Sequence, residues 1–288
     1  MPKPFPKRDA RARRTPVAAT AWERQAGWYD AHQGDRGDDF YQKLILPSVM
    51  RRLEAKSKER VLDVCCGQGV LGRALAAIGV RSLGVDASPS LIASARERAS
   101  AHEAYVVGDA RDLTSSVTDR SFDHAALVMA LQDVDRMADV LKGTAALVKP
   151  WGRLVVVLSH PCFRVPKRST WGWDETFGMQ YRRIDAYLSP NQVPIVINPG
   201  KAAAGAAADP RNDSGSTLSF HRPLATYLEA FGRAGFAVTG AEELCSHRRG
   251  TKGPRSGAED IAAKEIPLFL VLAGIRLPER PVDRPAKP

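Results

Sequence analysis

Val61-Leu62-Asp63-Val64-Cys65-Cys66-Gly67-Gln68-Gly69-Val70-Leu71-Gly72 decides how this chain of 288 residues is read. A short apolar, β-compatible run led by Arg60 passes through glycines and enters a helical pattern, Val70 to Ile78. A strand that feeds a glycine-rich turn and then a helix builds a cofactor-binding corner. Glycines let a ligand approach the backbone, and the helix N-terminus offers unpaired N–H groups. Residues 67–72 also fit the dinucleotide fingerprint G-x-G-x-x-G, a match that is weak alone.

Three further features sharpen the reading. Asp63 lies inside the strand, where a dinucleotide fold usually carries an apolar residue. A second apolar strand, Ser82-Leu83-Gly84-Val85, ends in Asp86, at about the spacing expected for an acid that holds a ribose diol. A third, Ala104-Tyr105-Val106-Val107, runs into Gly108-Asp109-Ala110. Acids at three strand ends line the carboxyl edge of a parallel sheet, where open α/β sheets bind ligands.

On these residues the chain resembles the class I S-adenosylmethionine-dependent methyltransferases, in particular the small-molecule branch with the ubiquinone and menaquinone methyltransferases. The resemblance covers roughly residues 22–276. It implies a Rossmann-like, doubly wound seven-stranded α/β sheet that ends in a C-terminal β-hairpin, with S-adenosylmethionine as cofactor. It also implies that Asp63, Gly67 and Gly69 hold the methionine part, that Asp86 with Ala87 takes the ribose hydroxyls, and that Asp109 with Ala110 takes the adenine amino group. Met129 is expected to floor the site. One departure is visible: Cys65 stands where the family often has glycine, and little beyond tighter packing is expected from it.

Working outward, residues 1–19 read as a disordered basic tail and 20–56 as a helical lid in two helices split by Gly34-Asp35-Arg36-Gly37-Asp38. Residues 57–277 read as the methyltransferase domain and 278–288 as a second tail. Strand–helix alternation runs to a fifth strand, Arg153 to Ser159, after a helix that stops before Pro150-Trp151-Gly152. The pattern then breaks. Residues 160–217 form an insertion, expected as an aromatic cap over the active site with a mobile loop at about 198–217. A helix at about Leu224 to Ala234, a sixth strand to Leu244, a basic loop at 247–264 and a seventh strand at Ile266 to Leu277 complete the chain.

The formal charge is +10, but residues 1–16 carry six basic residues against Asp9, and residues 276–288 carry four against two acids. Such tails are more often solubilising arms than specific binders, so no specific nucleic-acid partner is expected. No apolar run approaches a membrane span and no signal core is visible. Cys65, Cys66, Cys162 and Cys245 show no metal-site spacing, and a reduced, cytoplasmic protein without a bound metal is expected. Oligomeric state is not readable.

Methyl transfer from a sulfonium depends on in-line proximity in a dry site, helped by a base when the nucleophile carries a proton. His160, just past the fifth strand, is the expected general base. Trp28, Tyr29, Trp171, Tyr181 and His221 are candidate substrate contacts. Trp28 and Tyr29 read equally well as staples that hold the lid to the core. Gln132 and Asp133 follow the fourth strand and are candidate contacts to cofactor or substrate. Cys162 sits in a Pro-Cys pair like the nucleophile of cytosine-C5 methyltransferases, but after the fifth strand rather than the fourth, which favours packing. The leading expectation is methyl transfer to O, C or N of a small molecule. An RNA or protein methyltransferase using the basic tails is the alternative, and an NAD-dependent oxidoreductase, disfavoured by Asp63 and Asp109, is the third.

Overall fold

The computed structural model describes residues 22–196, 216–250 and 252–279. The expected tail at 1–19, most of the run 198–217 and nearly all of the last tail lie outside the described residues.

A 3-10 turn, Glu23–Gln25, leads into α1 (Ala26–Gln33), and a π-helical turn, Tyr41–Ile45, leads into α2 (Leu46–Leu53). The alternating part follows as β1 (Arg60–Val64), α3 (Val70–Ala76), β2 (Arg81–Asp86), α4 (Pro89–Glu97), β3 (Glu103–Val107), α5 (Leu113–Ser116), β4 (Phe122–Val128), α6 (Met137–Leu147) and β5 (Val148–Ser159). Two ribbons come next, β6 (Ser169–Asp174) with β7 (Met179–Ile184) and β8 (Asn191–Val196) with β9 (Ser216–His221). The chain closes with α7 (Leu224–Arg233), β10 (Phe236–Leu244), α8 (Ser256–Glu265) and β11 (Phe269–Arg276).

The main sheet has seven strands in the order β10-β11-β5-β4-β1-β2-β3. The strands from β3 to β5 run parallel, and β11 is antiparallel to both β5 and β10. Side chains alternate between two cores because the strand period is two. Leu62, Val64, Leu154, Val156 and Leu158 face α5, α6 and α7, where Leu113, Leu141 and Phe231 are fully packed. Val61, Val155 and Val157 face α2 and α3, with Val49, Leu53 and Leu75. Ser88 caps α4 by accepting the Leu91 N–H at 3.2 Å, with Pro89 in the first turn, as its sequence suggests.

Three expectations change. The fifth strand begins at Val148 and runs through Pro150-Trp151-Gly152, where Trp151 takes φ +68° and the pairing with β4 slips between Phe122 and His124. The segment 247–264, expected as loop, contains α8, which packs on β7. The insertion is two separate hairpins rather than one aromatic cap.

Candidate functional site

At the carboxyl ends of β1 to β4 lies a cavity of ≈ 750 Å³. Its inner wall is the glycine corner. Gly67 takes φ +55°, a region that favours glycine. Its N–H donates to Asp86 Oδ2 at 2.9 Å, while the Ser88 N–H donates to Oδ1 at 2.9 Å. Both Asp86 oxygens keep free lone pairs, and Asp86 and Ala87 line the cavity. Burial pushes the Asp86 carboxyl up, and the Ser88, Gly67 and Ala87 N–H groups draw it partly back. Asp63 stands behind this wall, 2% exposed, with Oδ2 lacking a hydrogen-bond partner. Burial, and then the charge of Asp86, raises its pKa to about 7. Gly69 opens α3 at φ +86° behind the lining, where an added Cβ would meet the Tyr105 ring. Cys65 departs from expectation: it lines the cavity at φ +58°, and Met129 does so at φ +56°. A side chain in this region carries backbone strain of about 1 kcal/mol, so glycine in place of Cys65 would relieve it.

Asp109 lines the third side. Its carboxylate receives Arg111 Nε and a terminal guanidinium nitrogen at 2.9 Å and 2.6 Å, plus the Arg111 backbone N–H at 2.8 Å. The Arg111 side-chain bonds hold its pKa below the ordinary carboxylate value. Sequence alone showed the acid but not that Arg111 already engages it. Ala110 is buried in the core beside it and does not line the cavity.

The N-terminal helices form the roof. Tyr29 approaches Gly67 so closely that an added Cβ would lie 3.2 Å from its ring. Trp22 meets Tyr29 edge to face at 5.3 Å, and Trp28 stacks on His32 at 5.0 Å. All four line the cavity, so Trp28 and Tyr29 wall it, and Tyr29, set against Gly67, also holds the roof to the glycine turn. Tyr29 and Tyr41 are hydrogen-bonded, and burial lifts the Tyr29 phenol to about 12. The roof is latched to the sheet domain. Arg98 on the C-terminal end of α4 grips Asp30 through two bonds of 2.6 Å and 2.8 Å and reaches Gln68 at 3.0 Å. Gln68 in turn donates to the Gly34 carbonyl at 2.6 Å, and Arg73 donates to the Asp35 carbonyl at 2.8 Å.

The opposite wall carries Gln132 and Asp133 after β4, and Gln192, Thr217 and Ser219 from the β8–β9 ribbon. Gln132 Nε2 donates to the Met129 carbonyl at 2.7 Å, which leaves Oε1 unpaired. Asp133 Oδ1 is also buried and unpaired. Burial raises the Asp133 carboxyl to about 7, against the pull of hydrogen bonds to Ser219 and Gln132. The β8–β9 ribbon was missed in sequence because its two strands lie on either side of a long Ala- and Gly-rich run.

His160 is elsewhere. It is 1% exposed and does not line the cavity. Its Nδ1 accepts the Cys162 N–H at 3.2 Å, and its Nε2 pairs with Glu243 at 2.8 Å. With both ring nitrogens engaged, it fixes the turn after β5 instead of facing a nucleophile. Trp171 and Tyr181 sit on the β6–β7 hairpin, half exposed and off the cavity. His221 is buried, bonded to the Tyr187 carbonyl at 2.7 Å. Cys162 contacts the Tyr187 hydroxyl at 3.5 Å, a packing position. Among the described residues, no group of three or more His, Cys, Asp or Glu could hold a metal ion, and no helix is long and apolar enough to cross a membrane.

Comparisons with known proteins agree with this architecture. A family model described as a methyltransferase domain matches residues 62–156. An uncharacterized methyltransferase of Schizosaccharomyces pombe, C70.08c, is 32% identical over 133 residues, 44% of this chain and 50% of that protein. A ubiquinone biosynthesis O-methyltransferase of Xanthomonas oryzae pv. oryzae is 31% identical over 130 residues, 44% of this chain and 54% of that protein. The chain thus spans about half the length of the curated relatives it matches. Among solved structures, an S-adenosylmethionine dependent methyltransferase from Mesorhizobium loti aligns with TM-score 0.61 and 26% identity, over 84% of this chain and 100% of that one. These likenesses favour a methyltransferase over an NAD-dependent oxidoreductase. Sheet order, glycine corner and likeness together identify the core of the chain as a methyltransferase domain with the fold of the S-adenosylmethionine-dependent methyltransferases.

Proposed function

We propose that this chain transfers a methyl group from S-adenosylmethionine to a hydroxyl or amine of a small molecule. The observation that carries the reading is the pair of unpaired acceptors, Gln132 Oε1 and Asp133 Oδ1, on the wall opposite the glycine corner. Buried acceptors without partners are costly, and a ligand that brings O–H or N–H groups satisfies them.

The residues present fit the cofactor. Asp63 Oδ2 is a buried carboxylate oxygen with nothing bonded to it, suited to the ammonium of the methionine part. Gly67 lines the cavity with bare backbone at φ +55°, so a ligand meets no side chain from it at the turn. Asp86 offers two oxygens to the ribose hydroxyls, and Asp109 an oxygen to the adenine amino group while Arg111 holds it in place. Bound there, the cofactor supplies an electrophilic methyl on a sulfonium.

The chain's own part is positioning, exclusion of water and proton removal. Trp22, Trp28 and Tyr29 close the roof, and the Arg98–Asp30 latch keeps it down. Asp133 receives the proton of the nucleophile on Oδ1 as the new bond to carbon forms. A carboxyl near pH 7 is well matched to that task. Ser219 and Gln132 orient it. The basic tails that an RNA or protein acceptor would use lie outside the described residues.

The test is transfer of labelled methyl to panels of phenols, alcohols, amines and acidic carbon compounds, followed over pH. Turnover with a hydroxyl or amine acceptor is expected to rise through about pH 7 as Asp133 ionises, and Asp133→Asn to remove that rise. Labelling of carbon acceptors alone, or an unchanged pH profile in Asp133→Asn, would contradict the reading.

A further inference from the structure

Beyond Phe40 lies a second cleft, ≈ 330 Å³, between the β6–β7 hairpin, the loop 246–250 and α8. Its lining includes Arg164, Trp171, Arg248 and Arg249, with Glu259 as the opposing acid. Arg164 is the unusual member. Its Nε is buried and has no hydrogen-bond partner. No carboxylate pairs with it among the described residues; its charged neighbour is Arg182, and both guanidinium groups lie over Trp171, at 5.9 Å and 5.1 Å. Burial, and then Arg182, pulls its pKa down to about 10. A partly buried cation next to a second cation is costly without a counter-ion. Trp173, two residues along the same strand face from Trp171, holds a further buried donor, Nε1, that is also unpaired.

The surrounding charge does not supply the missing anion. Asp39 is already shared by Lys43 at 2.7 Å, His247 at 2.5 Å and Arg248 at 3.2 Å. Glu259 is the acid among the lining residues, and no ion pair joins it to Arg164 among the described residues. The guanidinium fork suits an oxyanion better than any single point charge.

The cleft also adjoins the site already described. Phe40 lines both spaces, with Arg248 4.1 Å above its ring on one side and Phe269, a cavity residue, edge-on at 5.7 Å. We propose that the Arg164–Trp171–Arg249 cleft is a subsite for an oxyanion, a phosphate or carboxylate carried by the same small molecule whose reacting end enters the cavity past Phe40. This rests on the small-molecule reading above and gives it a substrate class: an acceptor with an anionic arm. It also gives the aromatic β6–β7 hairpin a role outside the cavity.

Calorimetric titration of the full chain with inorganic phosphate, then phenyl phosphate, at constant ionic strength tests it. Arg164→Gln and Arg249→Gln are the variants, and S-adenosylhomocysteine affinity is measured in parallel. Saturable phosphate binding is expected in the wild type, lost in Arg164→Gln and weakened about three-fold or more in Arg249→Gln, with S-adenosylhomocysteine affinity unchanged. Phenyl phosphate should bind about tenfold tighter than phosphate, because its ring reaches the apolar side of Phe40. Phosphate heats that are absent, or equal in the wild type and both variants, would overturn the subsite. Should Arg164→Gln fail to fold by circular dichroism, the exposed Arg249→Gln decides alone. Phenyl phosphate no tighter than phosphate would make this a free-ion site and refute the substrate arm. A single-stranded oligonucleotide that binds far tighter than phenyl phosphate, and is lost in the same variants, would overturn the proposal in favour of nucleic acid. If wild type fails to bind S-adenosylhomocysteine, the methyl-transfer reading falls while the phosphate titration still decides the cleft.

Discussion

The backbone N–H of Gly67 donates to the carboxylate of Asp86 at 2.9 Å, so the turn after β1 is tied to the end of β2 before any ligand arrives. This bond spans 19 residues of sequence and sets both the turn and the acid. Gly67→Val should break the arrangement twice. The new side chain meets the Tyr29 ring, 3.2 Å from the Cβ position, and the φ of +55° becomes strained. A stability loss of about 1–3 kcal/mol in denaturant unfolding, with cofactor binding abolished, is the expected result.

Asp63 makes an acid-side signature. Its folded pKa is about 7, because burial and Asp86 disfavour the charge. In an unfolded chain it is about 3.9. The folded state therefore keeps a proton that the unfolded chain has released. The stabilisation from this linkage is full below the unfolded pKa, about 4, and fades as pH rises through about 7. Urea unfolding of the ligand-free protein should show stability falling between about pH 4 and 7, and Asp63→Asn should flatten that fall by several kcal/mol, at about 1.4 kcal/mol for each pH unit between the two pKa values. An ammonium beside Asp63 favours the ionised form, so cofactor affinity should rise over the same window, and not do so in the variant.

The latch between Arg98 and Asp30 holds the roof. Both side chains are only about a quarter exposed, at 27% and 22%, and the guanidinium grips both carboxylate oxygens. Arg98→Ala should raise KM for the acceptor and speed proteolysis within residues 22–40, with the sheet domain intact. A double-mutant cycle with Asp30→Ala should give a coupling of about 1 kcal/mol.

His160 should behave as a structural residue. Burial lowers its pKa while Glu243 pulls upward, and Cys162 occupies its second nitrogen. His160→Gln is expected to lower Tm by several degrees, roughly 1–2 kcal/mol at a buried bonded site. Turnover at a temperature where the variant is folded should be unchanged. Loss of turnover without loss of Tm would return His160 to the chemistry.

The cofactor corner was legible because it is local. The β1 turn, Asp86 and Asp109 each follow a short apolar strand, and their spacing places them on one edge. The acceptor wall was not. Ser219 and Gln192 reach the cavity only because β8 pairs with β9, for example Val193 with Ser219, across a gap in which neither strand signals the other. Asp133 is visible in sequence after β4, but the ribbon's Ser219 that bonds it is not, whereas His160 has the residue type of a base. The aromatics Trp171 and Tyr181 misled for a similar reason. Their composition suggests a cap, but the hairpin that carries them packs on α8 and forms the arginine cleft. The strain at Cys65 was hidden because sequence shows the missing glycine but not the φ of +58°.

The central claim is that the space beside Gly67, Asp86 and Asp109 holds S-adenosylmethionine, and calorimetric titration with S-adenosylhomocysteine tests it most directly. One-to-one binding is expected in the wild type, weakened about tenfold or more in Asp86→Ala and absent in Gly67→Val, while NAD gives no heat of binding. Tight binding of NAD, or S-adenosylhomocysteine binding that is equal in the wild type and both variants, would contradict it.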